Sequence, residues 1–149
     1  MQHNAFLETL LWEFNLVAVE LTKQAIDLGI VTNDGAAALQ FYRDTLGFRH
    51  EGDMPMPMGG TMHRLWCGES LIKIVVPDKQ QAKPPSGGIQ GATGYRYWTI
   101  SVSNLSELVA SCEAAGYKVP VPETEIRPGV KIAMVEDPDG NWVEFLSAG

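Results

Sequence analysis

The chain writes one pattern of elements twice, and few folds accommodate that. Asp27-Leu-Gly-Ile-Val-Thr-Asn-Asp34 predicts a strand running into a helix N-cap, Ala36–Leu46 a helix, and Gly47 its stop before Phe48 opens an extended run. From Tyr97 the grammar recurs: Tyr97-Trp-Thr-Ile-Ser-Val-Ser-Asn104 is strand and cap, Leu105–Ala115 the helix, Gly116 the stop, and Tyr117 stands where Phe48 stood. His50–Asp53, Met62–Cys67 and Leu71–Val76 complete the first copy as strands. Lys118–Val121, Lys131–Glu136 and Trp142–Leu146 complete the second. Cys67-Gly-Glu-Ser70 and Asp137-Pro-Asp-Gly140 supply matching tight turns. Each copy reads β-α-β-β-β.

One curled four-stranded sheet cannot close a core alone, so the expected fold is α+β: two βαβββ modules with curled mixed sheets enclosing a central cleft. Period-2 alternation sends Leu28, Ile30, Trp98 and Ile100 toward the helices, and Asp27, Gly29, Val31, Tyr97, Thr99 and Ser101 toward the concave side. The modules span about 25–78 and 95–147 of a single domain over 17–149. The linker 79–94 is rich in Pro, Gly and Lys and passes over the surface. Residues 1–16 form an N-terminal extension, with an amphipathic helix over about Ala5–Asn15.

A chain of 149 residues can bury an adequate core without staples. Its net charge of −7 argues against nucleic acid as a partner, since phosphate binding needs a basic surface, and favours a neutral or cationic small ligand. Cys67 and Cys112 make no disulfide framework or metal spacing, and two reduced thiols suit a cytoplasmic protein. Glu8, Glu13 and Glu20 interrupt the apolar N-terminal run, which reads as neither a signal peptide nor a membrane span.

Three stretches, Gly29-Ile-Val-Thr-Asn-Asp34, Phe41-Tyr-Arg-Asp-Thr-Leu-Gly-Phe48 and Val135-Glu-Asp-Pro-Asp-Gly-Asn-Trp-Val-Glu-Phe145, resemble the vicinal oxygen chelate superfamily. This superfamily includes glyoxalase I, extradiol dioxygenases and bleomycin-resistance proteins. The resemblance covers about Ala25–Ser147 and implies paired βαβββ modules, a cleft and often a homodimer. In metal-dependent members it also implies a divalent cation held by one side chain from the first and last strand of each half. Carried over by position, those side chains are Asp27, Lys73, Tyr97 and Glu144, which the repeat also brings to equivalent inward places.

Glu144 fits the resemblance, and Asp27 is an oxygen donor where His is common. Tyr97 is a poor ligand near neutral pH, and the Lys73 ammonium repels a cation. The expectation is therefore no metal cofactor, with Lys73 replacing the ion and pairing with Asp27, Glu144 or both. Asp27, His63 and Glu144 remain as a weaker metal set, should His63 rather than Arg64 face inward beside Lys73. His3 and His50 have no metal-ligand neighbour at useful spacing.

Arg64, Trp66, Tyr95, Thr99 and Trp142, with His63, are the expected ligand-binding side chains. Met54-Pro-Met-Pro-Met-Gly-Gly60 suggests either an adaptable lid or an oligomer contact. Gly87–Gly94 is no phosphate loop, because it lacks Lys-Ser/Thr and opens no helix.

Two functions follow from the resemblance and this residue set. One is a glyoxalase-like, metal-independent lyase or isomerase, with Glu144 or Asp27 as general base and Lys73 and Tyr97 donating to an oxyanion. The other is a non-catalytic, drug-sequestering binder of the bleomycin-resistance type.

Overall fold

A computed structural model describes residues 17–149, so the helix expected over Ala5–Asn15 lies outside the described residues. The first module runs β1 (Leu28–Val31), α1 (Gly35–Leu39), a π-helical turn Gln40–Thr45, β2 (Arg49–Pro55), β3 (Thr61–Cys67) and β4 (Ser70–Val76). The second runs β5 (Tyr97–Ser101), α2 (Leu105–Ala114), β6 (Val121–Arg127), β7 (Val130–Glu136) and β8 (Trp142–Ala148).

Each module folds into its own sheet, in orders β1-β4-β3-β2 and β5-β8-β7-β6. β1 lies parallel to β4 and β5 parallel to β8, while the other pairs are antiparallel hairpins. The sheets remain separate and do not close on each other, so the cleft expected between them is open.

Alternation decides which face is buried. Leu65, Ile72 and Ile74 of the first sheet and Ala133, Val135, Val143 and Phe145 of the second belong to one continuous core with the helix residues Ala38, Phe41, Leu105, Val109 and Cys112. Leu28, Ile30, Trp98 and Ile100 pack against it, as the alternation predicts.

The helix foreseen over Ala36–Leu46 begins one residue earlier and widens after Leu39. Leu46 N–H donates to Phe41 C=O and Phe48 N–H to Tyr42 C=O, while Thr45 Oγ1 reaches Gln40 C=O. Asp34 caps it, accepting from Ala37 N–H at 3.0 Å. The widened turn leaves Phe41 and Tyr42, neighbours in sequence, both fully buried. Phe41 meets Tyr117 edge-on at 4.8 Å, and the Tyr42 hydroxyl donates to Asp137 Oδ2 at 2.6 Å. The first module's helix is thereby tied to the second module's last turn. Asp137 also accepts from Asp139 N–H, Asn141 N–H and Asn141 Nδ2, which shapes the Asp137–Gly140 turn.

One strand differs more. The run expected over Lys118–Val121 forms instead as β6, Val121–Arg127. Val121 is extended by Pro122 after it, and the residues that follow, polar except Ile126, are exposed on both faces of an edge strand. No alternation could mark it.

Linker 79–94 is pinned rather than merely draped. Asn33 exchanges two 2.8 Å hydrogen bonds with the Gln81 backbone. Arg96 donates to Gly88 C=O at 2.6 Å and to Pro85 C=O at 2.9 Å. A short 3-10 turn, Gly88–Gln90, lays Gly88 against the Trp142 ring. The Met-rich stretch ends β2 and forms the turn into β3, with Met58 wholly exposed at its tip. Among the described residues no helix is long and apolar enough to cross a membrane.

Candidate functional site

The repeat equivalence holds in the register. Gly29 lies beside Lys73 on β1 and β4, and Thr99 lies beside Glu144 on β5 and β8. Lys73 and Glu144 therefore occupy matching central positions on the face away from the helices, with Asp27 and Tyr97 flanking them.

On the first sheet, Arg64 is the partner of Lys73 across β3 and β4, so Arg64 shares its face. His63 pairs with Ile74, a core residue, and lies on the opposite face. The set Asp27, His63 and Glu144 is accordingly not assembled, and His63 does not belong among the ligand-binding side chains of the cleft. Arg64 donates to Glu51 at 2.9 Å, and Trp66 Nε1 donates to the same Glu51 oxygen at 3.0 Å. Lys23 and Arg49 lie over the Trp66 ring at 5.6 and 5.9 Å. Although the whole chain is acidic, this face gathers Lys23, Arg49, Arg64 and Lys73 against Asp27 and Glu51.

Asp27 pairs with Lys23 at 2.5 Å and accepts from Leu71 N–H at 3.2 Å. The Lys23 hydrogen bond, then the Leu71 N–H, hold its carboxyl below the usual range, with a smaller contribution from the field of Lys73. The pairing expected between Lys73 and Asp27 or Glu144 is therefore replaced: Lys23 takes Asp27, and Glu144 accepts from Thr99 Oγ1 at 2.8 Å. Lys73 makes no ion pair among the described residues.

Where β1 and β5 approach, a cavity of about 260 Å³ is lined by Gly29, Val31, Tyr95, Tyr97 and Trp142 among others. This brings together three of the expected aromatic side chains, while Trp66 belongs to the first sheet's basic face. Tyr97 is 48% exposed and Val31 56%, so the face is open to a ligand. Trp98, which also lines the cavity, and Trp142 each bury an indole Nε1 that finds no acceptor among the described residues.

The positions marked for a divalent ion do not fit one. An ammonium stands at Lys73 with the Arg64 guanidinium beside it, and Asp27 is already satisfied by Lys23 and Leu71. Glu144 is left as the one carboxylate of the set without an ion pair, and a single carboxylate does not hold such an ion against water.

Sequence reasoning missed Lys23, Arg49 and Glu51 on this face. Lys23 lies outside the repeated elements. Glu51 sits where β2 slips register against β3, between His50 and Gly52, so simple alternation cannot assign its face.

Residues 24–145 match the model of the Glyoxalase/Bleomycin resistance protein/Dioxygenase superfamily, and the chain belongs to that superfamily. Solved structures with this fold include a glyoxalase family protein from Bacillus cereus, with TM-score 0.75 and 14% identity over 90% of this chain and 99% of that one. The glyoxalase family protein from Enterococcus faecalis has TM-score 0.62 and 24% identity, over 85% and 96% of the two chains. Trypanothione-dependent glyoxalase I from Leishmania major has TM-score 0.65 and 22% identity, over 85% and 87%. At such identities the likeness speaks for the fold. No curated protein matches the chain.

Proposed function

We propose that this protein is a glyoxalase-like lyase or isomerase that moves a proton on a small carbonyl compound without a metal ion, with Glu144 as general base. The observation carrying this reading is the matched pair Lys73 and Glu144, a cation and a carboxylate that make no ion pair among the described residues and stand at equivalent positions on the strands beside β1 and β5. Of the two candidate bases, Asp27 is ion-paired with Lys23, which holds its carboxyl low, whereas Glu144 makes no ion pair among the described residues and accepts only from the neutral Thr99 hydroxyl.

Glu144 takes a proton from carbon next to the carbonyl. The C–H electron pair moves into the new C=C bond, and the carbonyl oxygen becomes an enolate oxygen held by Lys73, with Arg64 beside it. On an α-hydroxy carbonyl the intermediate is an enediolate: return of the proton to the former carbonyl carbon, with the hydroxyl proton passing to the enolate oxygen and a new C=O forming at the α-carbon, completes an isomerisation. With a leaving group on the β-carbon, collapse of the enolate re-forms C=O and expels that group with its electron pair, completing an elimination. Tyr95, Tyr97 and Trp142 give the substrate an aromatic seat. The openness of the Tyr97 and Val31 face supports assembly as a homodimer, the partner covering the cleft.

The competing reading is a binder that returns its ligand unaltered, and the aromatic lining of the cavity favours it equally. Against a cationic drug as that ligand stand Lys23, Arg49, Arg64 and Lys73 on the first sheet. Turnover of a panel of 2-oxoaldehyde adducts and 2-oxo acids, before and after dialysis against a chelator, tests the proposal. Activity that survives the chelator and falls in Glu144→Gln and Lys73→Met supports it. Full activity in Glu144→Gln, or unaltered recovery of every tightly bound compound, contradicts it.

A further inference from the structure

On the helix-covered side of the first sheet, away from the cleft, we propose that His50, Asp53 and His63 bind one divalent transition-metal ion. In an unbroken strand His50 and Asp53, three apart, point to opposite faces. Here β2 slips against β3: His50 pairs with Leu65, Gly52 with Arg64 and Asp53 with His63. The inserted residue restores parity, so His50 and Asp53 join His63 on the face of Leu65. Gly52 at φ 146° permits the bulge, since a side chain there is strained.

The result is a convergence of donors. His50 Nε2 lies 2.7 Å, and His63 Nδ1 2.6 Å, from the same oxygen, Asp53 Oδ1. The three ligand atoms lie within 4.8 Å of one another. The two imidazole side chains are 21% and 14% exposed, whereas Asp53 is 49% exposed, so the group is held from within and open at one end.

Two imidazoles and one carboxylate suit zinc, cobalt or ferrous ions and not calcium or magnesium, and they leave positions for water. Donors about 2.05 Å from a tetrahedral ion are about 3.3 Å apart. Asp53 Oδ1 therefore needs to retreat by about 0.6 Å from each imidazole to admit the ion. Asp53 can do so, because it sits half-exposed on an edge strand. Arg43, which feels the charge of Asp53, is turned onto Asp44 at 2.7 Å instead of filling the site. Behind the site, a Cβ on Gly35 would come within 3.1 Å of His63 Nε2, so the start of α1 braces that ring.

Titration of the full chain with cobalt(II), followed by visible absorption, tests the site. One equivalent producing ligand-field bands, displaced by zinc, is the expected result. Those bands are lost in His50→Ala and His63→Ala, and the cobalt affinity that they report falls at least about tenfold in Asp53→Asn, which keeps the side chain's shape. They persist in His3→Ala, the chain's remaining histidine, and in Glu144→Gln, which separates this site from the cleft. Circular dichroism establishes that each variant is folded, with Asp53→Asn the arbiter if an alanine variant is not. The absence of bands in the folded parent chain overturns the proposal, as do bands that remain unchanged in folded His63→Ala or Asp53→Asn.

Discussion

Replacing Tyr42 with Phe removes one hydroxyl and leaves the ring. That ring is wholly buried, edge-on to Phe41 at 4.7 Å and stacked on Phe48 at 6.0 Å, so its packing survives. What disappears is a 2.6 Å hydrogen bond to Asp137, itself only 5% exposed. A hydrogen bond to a charged group contributes about 1.5–3 kcal/mol. Asp137 retains Asn141 Nδ2 on the affected oxygen, which argues for the middle of that range, about 2 kcal/mol. For a chain of this size that corresponds to a Tm lower by about 4–8 °C.

The pH dependence has a definite sign. Burial holds the Asp137 carboxyl above the usual carboxylate range, against the lowering effect of Tyr42 and its other donors. A raised folded value means that Asp137's contribution to stability declines as pH rises through its ionisation, and the Tyr42 hydroxyl offsets that decline. The deficit of Tyr42→Phe is therefore largest at pH 7 and shrinks toward pH 4. Thermal and urea unfolding at both values measure it. An unchanged Tm at pH 7, or a deficit that grows on acidification, refutes the assignment of this bond as the tie between the modules.

Burial pushes the Cys112 thiol from 9.0 up to about 11, so above pH 9 the unfolded chain releases a proton that the folded chain keeps. Stability then falls as pH rises from 9 to about 11, and Cys112→Ala flattens that fall in a Tm-against-pH series even if its Tm is lower throughout. Gly88→Ala adds a methyl group that collides with the Trp142 ring at a φ of +54°, and should cost about 2 kcal/mol or more while shifting tryptophan fluorescence. A wild-type Tm and spectrum in that variant contradict the seating of the linker on Trp142.

The fold was legible because turn chemistry and alternation agree in both copies: Gly47 answers Gly116, and Leu28 and Ile30 answer Trp98 and Ile100. β6 was misplaced because an edge strand whose Glu, Thr, Arg and lone Ile126 are all exposed carries no apolar period. The matched places of Lys73 and Glu144 were legible for the same reason as the fold, since period 2 runs unbroken through β4 and β8.

The partners of these residues were not. Lys23 reaches Asp27 from outside the repeat, and Glu51 reaches Arg64 through a bulge. That same bulge hid His50, whose neighbours Asp53 and His63 meet it only after one residue of slip. Alternation assumes a regular ladder, and this chain departs from one beside its most chemically loaded strand.

Proton transfer on carbon by Glu144 is the step on which the proposed function stands. Its most direct test is the wash-in of solvent deuterium at the carbon beside the carbonyl, followed by proton NMR on the substrates that the protein accepts. Catalysed exchange is expected in the parent chain, with exchange slower by about 10²–10⁴-fold in Glu144→Gln while binding persists. Exchange at the parent rate in Glu144→Gln, or none in a parent chain that turns its substrate over, contradicts it.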